Sequence, residues 1–268
     1  MSDRKEQFRD QMDASSIELI QHTEPDERFY ERKETGIWYA SVTTKLAVLP
    51  KDEFLESWKD KSGASTVNVV LAEASKKGTN IHNVIDDLCR EYLENGSATL
   101  DWFNEDGYKK WTSEEWSGIL RFADFFNNHV DEVILSEQRM FSDTLNVAGT
   151  VDGVFKLKDG RIALVDYKYT SALSDKFSVQ TYCYKTMVEE TYGLSIDVRG
   201  ILWLRSSKRG ADKTGKKIQG AGWEYDEHNE YERDALIYNC ADTIFMDKYR
   251  KKEIIPEHRT YQRIIKLG

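Results

Sequence analysis

Apolar and polar positions along the chain follow two regimes that change over near Val133. Before that point the spacing is mainly helical. Arg28 to Ala40 (RFYERKETGIWYA) is the exception: its aromatic-rich arms around Glu34-Thr35-Gly36 predict a hairpin. Ser41 stands where a helix N-cap would be, and from there to about Gly96 the pattern predicts helices broken near Pro50, Gly63 and Gly78. Ser113 to His129 carries Trp116, Ile119, Leu120, Ala123 and Phe126 at helical intervals. The opening 25 or so residues are polar and read as mobile or loosely helical.

Beyond Val133, EVILSEQRMF, LNVAGTVDGVFKLK and RIALVDYKY alternate or run apolar, with short turns such as Lys158-Asp159-Gly160 between them. They predict three consecutive antiparallel strands. A helix over Ser174–Tyr192 follows, then a strand over Ile196–Leu204 and a basic, turn-rich segment. A strand near Ile218–Tyr225 and a helix from Asn229 to about Lys252 complete the order. The expected organisation is a polar segment (1–27), a hairpin and helical cap (28–130), and an α/β core with a β-β-β-α-β order (131–268).

Composition narrows the class without deciding it. The chain has 268 residues, 40% hydrophobic and 32% charged, which fits a globular protein. No apolar run approaches the ~20 residues a membrane span needs, and MSDRKEQFRDQMDASS has the character of neither a signal nor a transit peptide. Cys89, Cys183 and Cys240 lack metal-ligand spacing, so the expectation is an intracellular, cytoplasmic protein without an iron–sulfur cluster. The net charge of −9 runs against the usual basic character of nucleic-acid binders. An enzyme holding its substrate through metal ions and one basic groove can nevertheless be acidic overall.

The chemistry concentrates in one hairpin. Asp152 lies within Gly149-Thr150-Val151-Asp152-Gly153, while Asp166 and Lys168 sit two apart on the next strand and project from one face. Asp152 and Asp166 are each seven positions from Asp159, so pairing about that turn sets them nearly opposite. Adjacent carboxylates repel on a sheet, and a hard divalent cation removes the conflict. An ammonium beside such a cation can orient water and neutralise charge developing on phosphate.

Several segments together resemble the PD-(D/E)xK nucleases, in particular the RecB-like exonuclease branch that includes mitochondrial genome-maintenance exonucleases and phage relatives. They are Gly149-Thr150-Val151-Asp152, Val165-Asp166-Tyr167-Lys168-Tyr169-Thr170, Gln180-x-x-x-Tyr184, and upstream Gly78-Thr79-x-x-His82 with Glu137. The similar layout runs from Ser41-Val42-Thr43-Thr44 through Trp58 to the last helix, roughly residues 37 to 250. Val151 stands in place of the proline of the family name, and the cysteines of the iron–sulfur subgroup are missing.

The resemblance implies a restriction-endonuclease-like mixed central sheet flanked by helices, with a helical N-terminal cap. It implies that Asp152, Asp166, the Tyr167 carbonyl and His82 bind Mg2+ or Mn2+, that Glu137 helps position metal or water, and that Lys168 orients the attacking water. Gln180 and Tyr184 would support the site or the scissile strand. The implied reaction is hydrolysis of DNA, with single-stranded ends or flaps as substrate, in replication, recombination or degradation, in a phage or a cell. Two alternatives stay open: a structure-specific endonuclease, and a catalytically silent nuclease-fold module that binds DNA or a protein partner.

Arg205, Lys208, Arg209, Lys213, Lys216 and Lys217 oppose a single acid, Asp212, in the basic segment and are candidate phosphate contacts. Gly210-x-x-x-x-Gly215-Lys216 in the same stretch is followed by Lys217 rather than Ser or Thr, so it is not a P-loop. Trp38, Tyr39, Phe54, Trp58 and Trp102 could stack on bases of a single strand or fill the core.

Overall fold

Strand pairing begins earlier than the hydrophobic pattern indicates. In the computed structural model, which describes residues 18–23, 27–50, 64–207, 210 and 218–248, β1 (Leu19–Thr23) pairs antiparallel with β2 (Arg28–Arg32). β2 in turn pairs with β3 (Ile37–Ala40) across the expected turn, where Gly36 takes a left-handed φ of 67°. Among the described residues the first elements are therefore those of a three-stranded sheet rather than helices. Leu19 alone among the β1 side chains is buried, packed with Tyr30, Tyr39 and Ala148. One buried residue gives a strand no readable alternation, which is why this stretch looks like a polar tail. Residues 1–17 lie outside the described part, as do Phe54, Gly63 and Trp58.

Ser41 caps α1 (Val42–Leu46), its hydroxyl accepting the Thr44 amide at 3.0 Å. α2 (Ala64–Asn95) runs straight through Gly78, contrary to the expected break. Glycine weakens a helix interior by only about 1 kcal/mol relative to alanine, and Ile81, Ile85 and Cys89 in the following turns are buried in the core. α3 (Ser113–His129) starts where the sequence places it, on a capping box in which Thr112 and Glu115 exchange hydrogen bonds.

β4 (Val130–Ser142), β5 (Val147–Leu157) and β6 (Ile162–Lys168) form the antiparallel meander. α4 (Lys176–Tyr192) crosses to β7 (Val198–Trp203), which lies parallel to β6. The expected single strand near Ile218–Tyr225 is two strands, β8 (Ile218–Gly220) and β9 (Trp223–His228), folded back at Gly222 with φ 85°. A glycine-bounded tight turn inside a short alternating run looks like continuity from sequence alone. The last helix, α5, spans Tyr231–Lys248.

The order β4-β5-β6-β7-β9-β8 makes one mixed six-stranded sheet. Val151, Leu164, Val179, Met187 and Tyr238 pack on one face with α1, α4 and α5; Ile81, Phe122, Phe155, Val165 and Tyr167 pack on the other with α2 and α3. The architecture is α/β, a mixed sheet flanked by helices on both faces. Among the described helices, none is long and apolar enough to cross a membrane.

Candidate metal centre

The β5–β6 ladder runs from Lys156↔Ile162 to Gly153↔Val165, the register expected from a turn centred on Asp159, and stops there. Continued by one step that register would set Asp152 opposite Asp166, but Asp166 is not among the residues whose ligand atoms converge with those of Asp152. The Asp152 carboxylate takes up a backbone donor itself, with the Tyr167 amide donating to its Oδ2 at 2.8 Å. On β5, Val151 and Val154 lie three apart yet pack into one cluster, so strict alternation slips by one position at Asp152–Gly153. Opposite this slip on β4, Glu137 adopts φ 43°, a left-handed conformation that costs a non-glycine residue about 1–3 kcal/mol. The carboxylates of Glu137 and Asp152 both lie beside His82 Nδ1.

His82 arrives from α2 on the other layer. Its Nδ1 lies 3.2 Å from Glu137 Oε1 and 3.7 Å from Asp152 Oδ2, and its Nε2 lies 3.1 Å from the Tyr167 carbonyl oxygen. A carbonyl and ionised carboxylates only accept, so with both acids ionised the imidazole donates from both nitrogens as the protonated form. Burial works against that charge, but Asp152 and Glu137 outweigh it and push the group up to about 9. Ligand atoms of His82, Glu137 and Asp152 all lie within 4.8 Å of one another.

Asp166 and Lys168 share the face of β6 turned toward α4. Lys168 Nζ stands 2.5 Å from Asp166 Oδ2 and is its partner, while Oδ1, equally buried, meets no donor among the described residues. Burial raises the carboxyl of Asp166 despite Lys168, and that of Asp152 despite His82. Burial also opposes the Lys168 charge, yet Asp166 and Asp152 more than restore it, so it remains an ammonium. With every group ionised, three carboxylates face two cations, one negative charge in excess. A divalent cation fits this set: carboxylate oxygens, a carbonyl and one imidazole converge, and with every group ionised the balance is negative.

Gln180 and Tyr184 sit beside this centre, Gln180 Nε2 donating to the Tyr184 hydroxyl at 2.8 Å. Burial, then Asp166 and Asp152, raise the Tyr184 phenol. A Cβ on Gly149 would come 2.7 Å from the Tyr184 ring, so that strand position admits only glycine while the ring stays in place. Phe177, absent from the sequence candidates, lies beneath Lys168, whose Nζ is 4.9 Å from the ring centroid. Its spacing of three from Gln180 and seven from Tyr184 along one helix face was the available signal.

Arg205 is exposed, its guanidinium 5.7 Å from the Tyr169 ring. Lys208, Arg209, Lys213, Lys216 and Lys217 lie outside the described residues. Tyr39 belongs to the core and Trp38 packs on His22, so neither is a free stacking surface. A cavity of about 340 Å3, lined by Ser178, Ile201, Asp226, His228 and Arg233 among others, includes none of the candidate site residues. Neither models of known protein families nor curated protein sequences match this chain.

Proposed function

We propose that the chain is a Mg2+- or Mn2+-dependent deoxyribonuclease with a restriction-endonuclease-like core, acting as an exonuclease on single-stranded ends or flaps. One observation carries the reading: His82, Glu137 and Asp152 converge within 4.8 Å of one another beside the Tyr167 carbonyl and the Asp166–Lys168 pair. The resemblance of the same residues to the RecB-like pattern supports it.

Asp152, Asp166, the Tyr167 carbonyl and His82, once deprotonated, would hold the cation. When bound there, such a cation supplies Lewis acidity toward a phosphate oxygen and water. Lys168 is set to donate to the attacking water and to offset charge building on the phosphate. Phe177 limits where its ammonium can go. Gln180 and Tyr184 hold each other against the sheet and present donors toward the scissile strand.

The test is digestion of end-labelled linear single-stranded and duplex DNA, and of circular single-stranded DNA, with Mg2+, Mn2+, Ca2+ or EDTA. Shortening of linear single strands with Mg2+ or Mn2+, intact circles and no reaction in EDTA are expected. Cleaved circles would make it an endonuclease. DNA shifted on a gel but uncut with every metal would overturn catalysis and leave a binding module.

A further inference from the structure

Residues 97–112, between α2 and α3, form an exposed loop whose arms meet at a Phe103–Lys109 bridge. The loop carries two tryptophans against a third on α3. Trp102 stacks on Trp116 at 5.5 Å between centroids with planes 5° apart, and Trp111 stacks on Trp116 at 5.7 Å and 13°. Lys109 Nζ lies 4.5 Å over the Trp102 ring, and Lys110 Nζ lies 5.2 Å over that of Trp111. Phe103 and Tyr108, 43% and 72% exposed, extend the aromatic surface.

The loop is held in shape from within: the Trp102 indole donates to the Trp111 carbonyl at 2.9 Å, and the Lys110 amide to the Trp102 carbonyl at 2.9 Å. A hairpin that only needed a small core would turn its largest rings inward and its charges away. Here all three indoles stay partly exposed, and an ammonium sits over each outer member of the column. The acids of the loop are placed elsewhere. Asp101 accepts the Phe103 amide, and Glu105 and Asp106 lie in the turn at the tip.

The helix turn that carries Trp116 is tied to the strand end that carries Lys168. Trp116 belongs to the first turn of α3, and the Glu114 carbonyl of that turn accepts the Tyr169 hydroxyl at 3.0 Å. Tyr169 directly follows Lys168. Each outer ring has Trp116 on one face and an ammonium over it, so an unpaired base stacks there when the exposed lysine moves from the ring to the adjoining phosphate, a contact made without regard to sequence.

We propose that Trp102, Trp116 and Trp111, with Lys109 and Lys110, form a stacking platform for unpaired bases of the single strand that the Lys168 centre cleaves. The assignment rests on reading that centre as acting on nucleic acid. Binding without cleavage separates the two. In EDTA, fluorescence anisotropy of a labelled thymidine oligonucleotide of about 12 residues reports affinity, and Trp102→Leu should weaken it at least about fivefold. Because that variant alters packing, Lys109→Glu with Lys110→Glu provides an exposed second test. It should weaken binding and lower the slope of log K against log salt by about 1.4, two phosphate contacts on a single strand.

Circular dichroism melting checks that each variant is folded. Unchanged affinity in both folded variants would overturn the platform, as would a duplex of equal length that binds as tightly as the single strand. Self-association that disappears in Trp102→Leu while oligonucleotide affinity holds would also overturn it, making the surface a contact between copies. Platform-dependent binding in a protein that cleaves nothing with any metal would uphold the platform and sink the nuclease reading.

Discussion

Two groups of buried charge sit on the same sheet and are built to opposite rules. On β7, Arg199 meets Asp234 of α5 with Nη2 2.5 Å from Oδ2, both side chains fully buried. Its Nη1 donates to the Ser178 carbonyl and the Thr181 hydroxyl, while Ser178 Oγ donates to Asp234. Arg233, partly exposed, adds a contact of 3.3 Å from its Nη1 to Asp234 Oδ1, so both carboxylate oxygens have cationic partners. At the β5–β6 opening, three carboxylates meet two cations and Glu137 is strained. A buried charge without full compensation costs several kcal/mol. The β7 group is thus compensated by the chain itself, whereas the β5–β6 group carries one negative charge in excess when every member is ionised.

The largest expected difference is in activity. Lys168→Ala or Asp152→Ala should lower DNA cleavage by about 10^3-fold or more, the scale of losing a group that meets developing charge, with the fold retained. Single-turnover digestion with circular dichroism melting measures both. Full activity in either folded variant would end the nuclease assignment. The Arg199–Asp234 pair should respond in stability instead. Arg199→Ala or Asp234→Ala strands a buried charge and should cost about 3–5 kcal/mol, while Arg199→Met with Asp234→Leu should recover most of the loss. Denaturant melts decide it; a double variant as unstable as the singles would show that the pair contributes more than mutual compensation.

This contrast also separates what the sequence discloses from what it hides. The β5–β6 register from Lys156↔Ile162 to Gly153↔Val165 follows from counting out from Asp159, because a tight hairpin fixes register. α3 is legible for a similar local reason: its cap, its apolar spacing and its first-turn acids agree. The slip at Asp152–Gly153 and the φ of Glu137 are not legible, since they record how two strands part around the site. The Arg199–Asp234 pair joins residues 35 apart through a helix packing, which no periodicity encodes. The tryptophan column gathers positions 102, 111 and 116 across a loop, and sequence spacing relates them to nothing. His82 lay on an apolar helix stripe, and only the family pattern singled it out from a satisfied surface histidine.

The opposite sign of the two clusters can be measured by neutralising one acid in each. Burial raises the Asp166 carboxyl, so its charged form is penalised in the folded state. The penalty is absent below the unfolded value near 3.9 and grows as pH rises through the folded value. Asp166→Asn should therefore stabilise the metal-free protein by about 1–3 kcal/mol around pH 7, and the gain should vanish on acidification to about pH 4. Asp234→Asn should destabilise over the same range. Chemical denaturation of both variants across pH checks the pair of signs, and a destabilising Asp166→Asn would mean that the site is as complete as the one on β7.

The smallest effect is the most specific. A cation that binds only the folded state stabilises it by about 1.4 kcal/mol at ten times its Kd. Mg2+ or Mn2+ should give this increment to the native chain and to Arg199→Met with Asp234→Leu, but not to Asp152→Asn. The increment should also rise with pH, because His82 must lose its proton to become a ligand. In the metal-free protein His82 is raised from 6.5 to about 9, so its protonated form contributes stability that is full below 6.5 and lost as pH climbs through about 9. The cation displaces that proton at least cost at the upper end of this window. Thermal melts with and without metal between those pH values should thus diverge progressively. A constant increment across the window would place the cation somewhere other than His82.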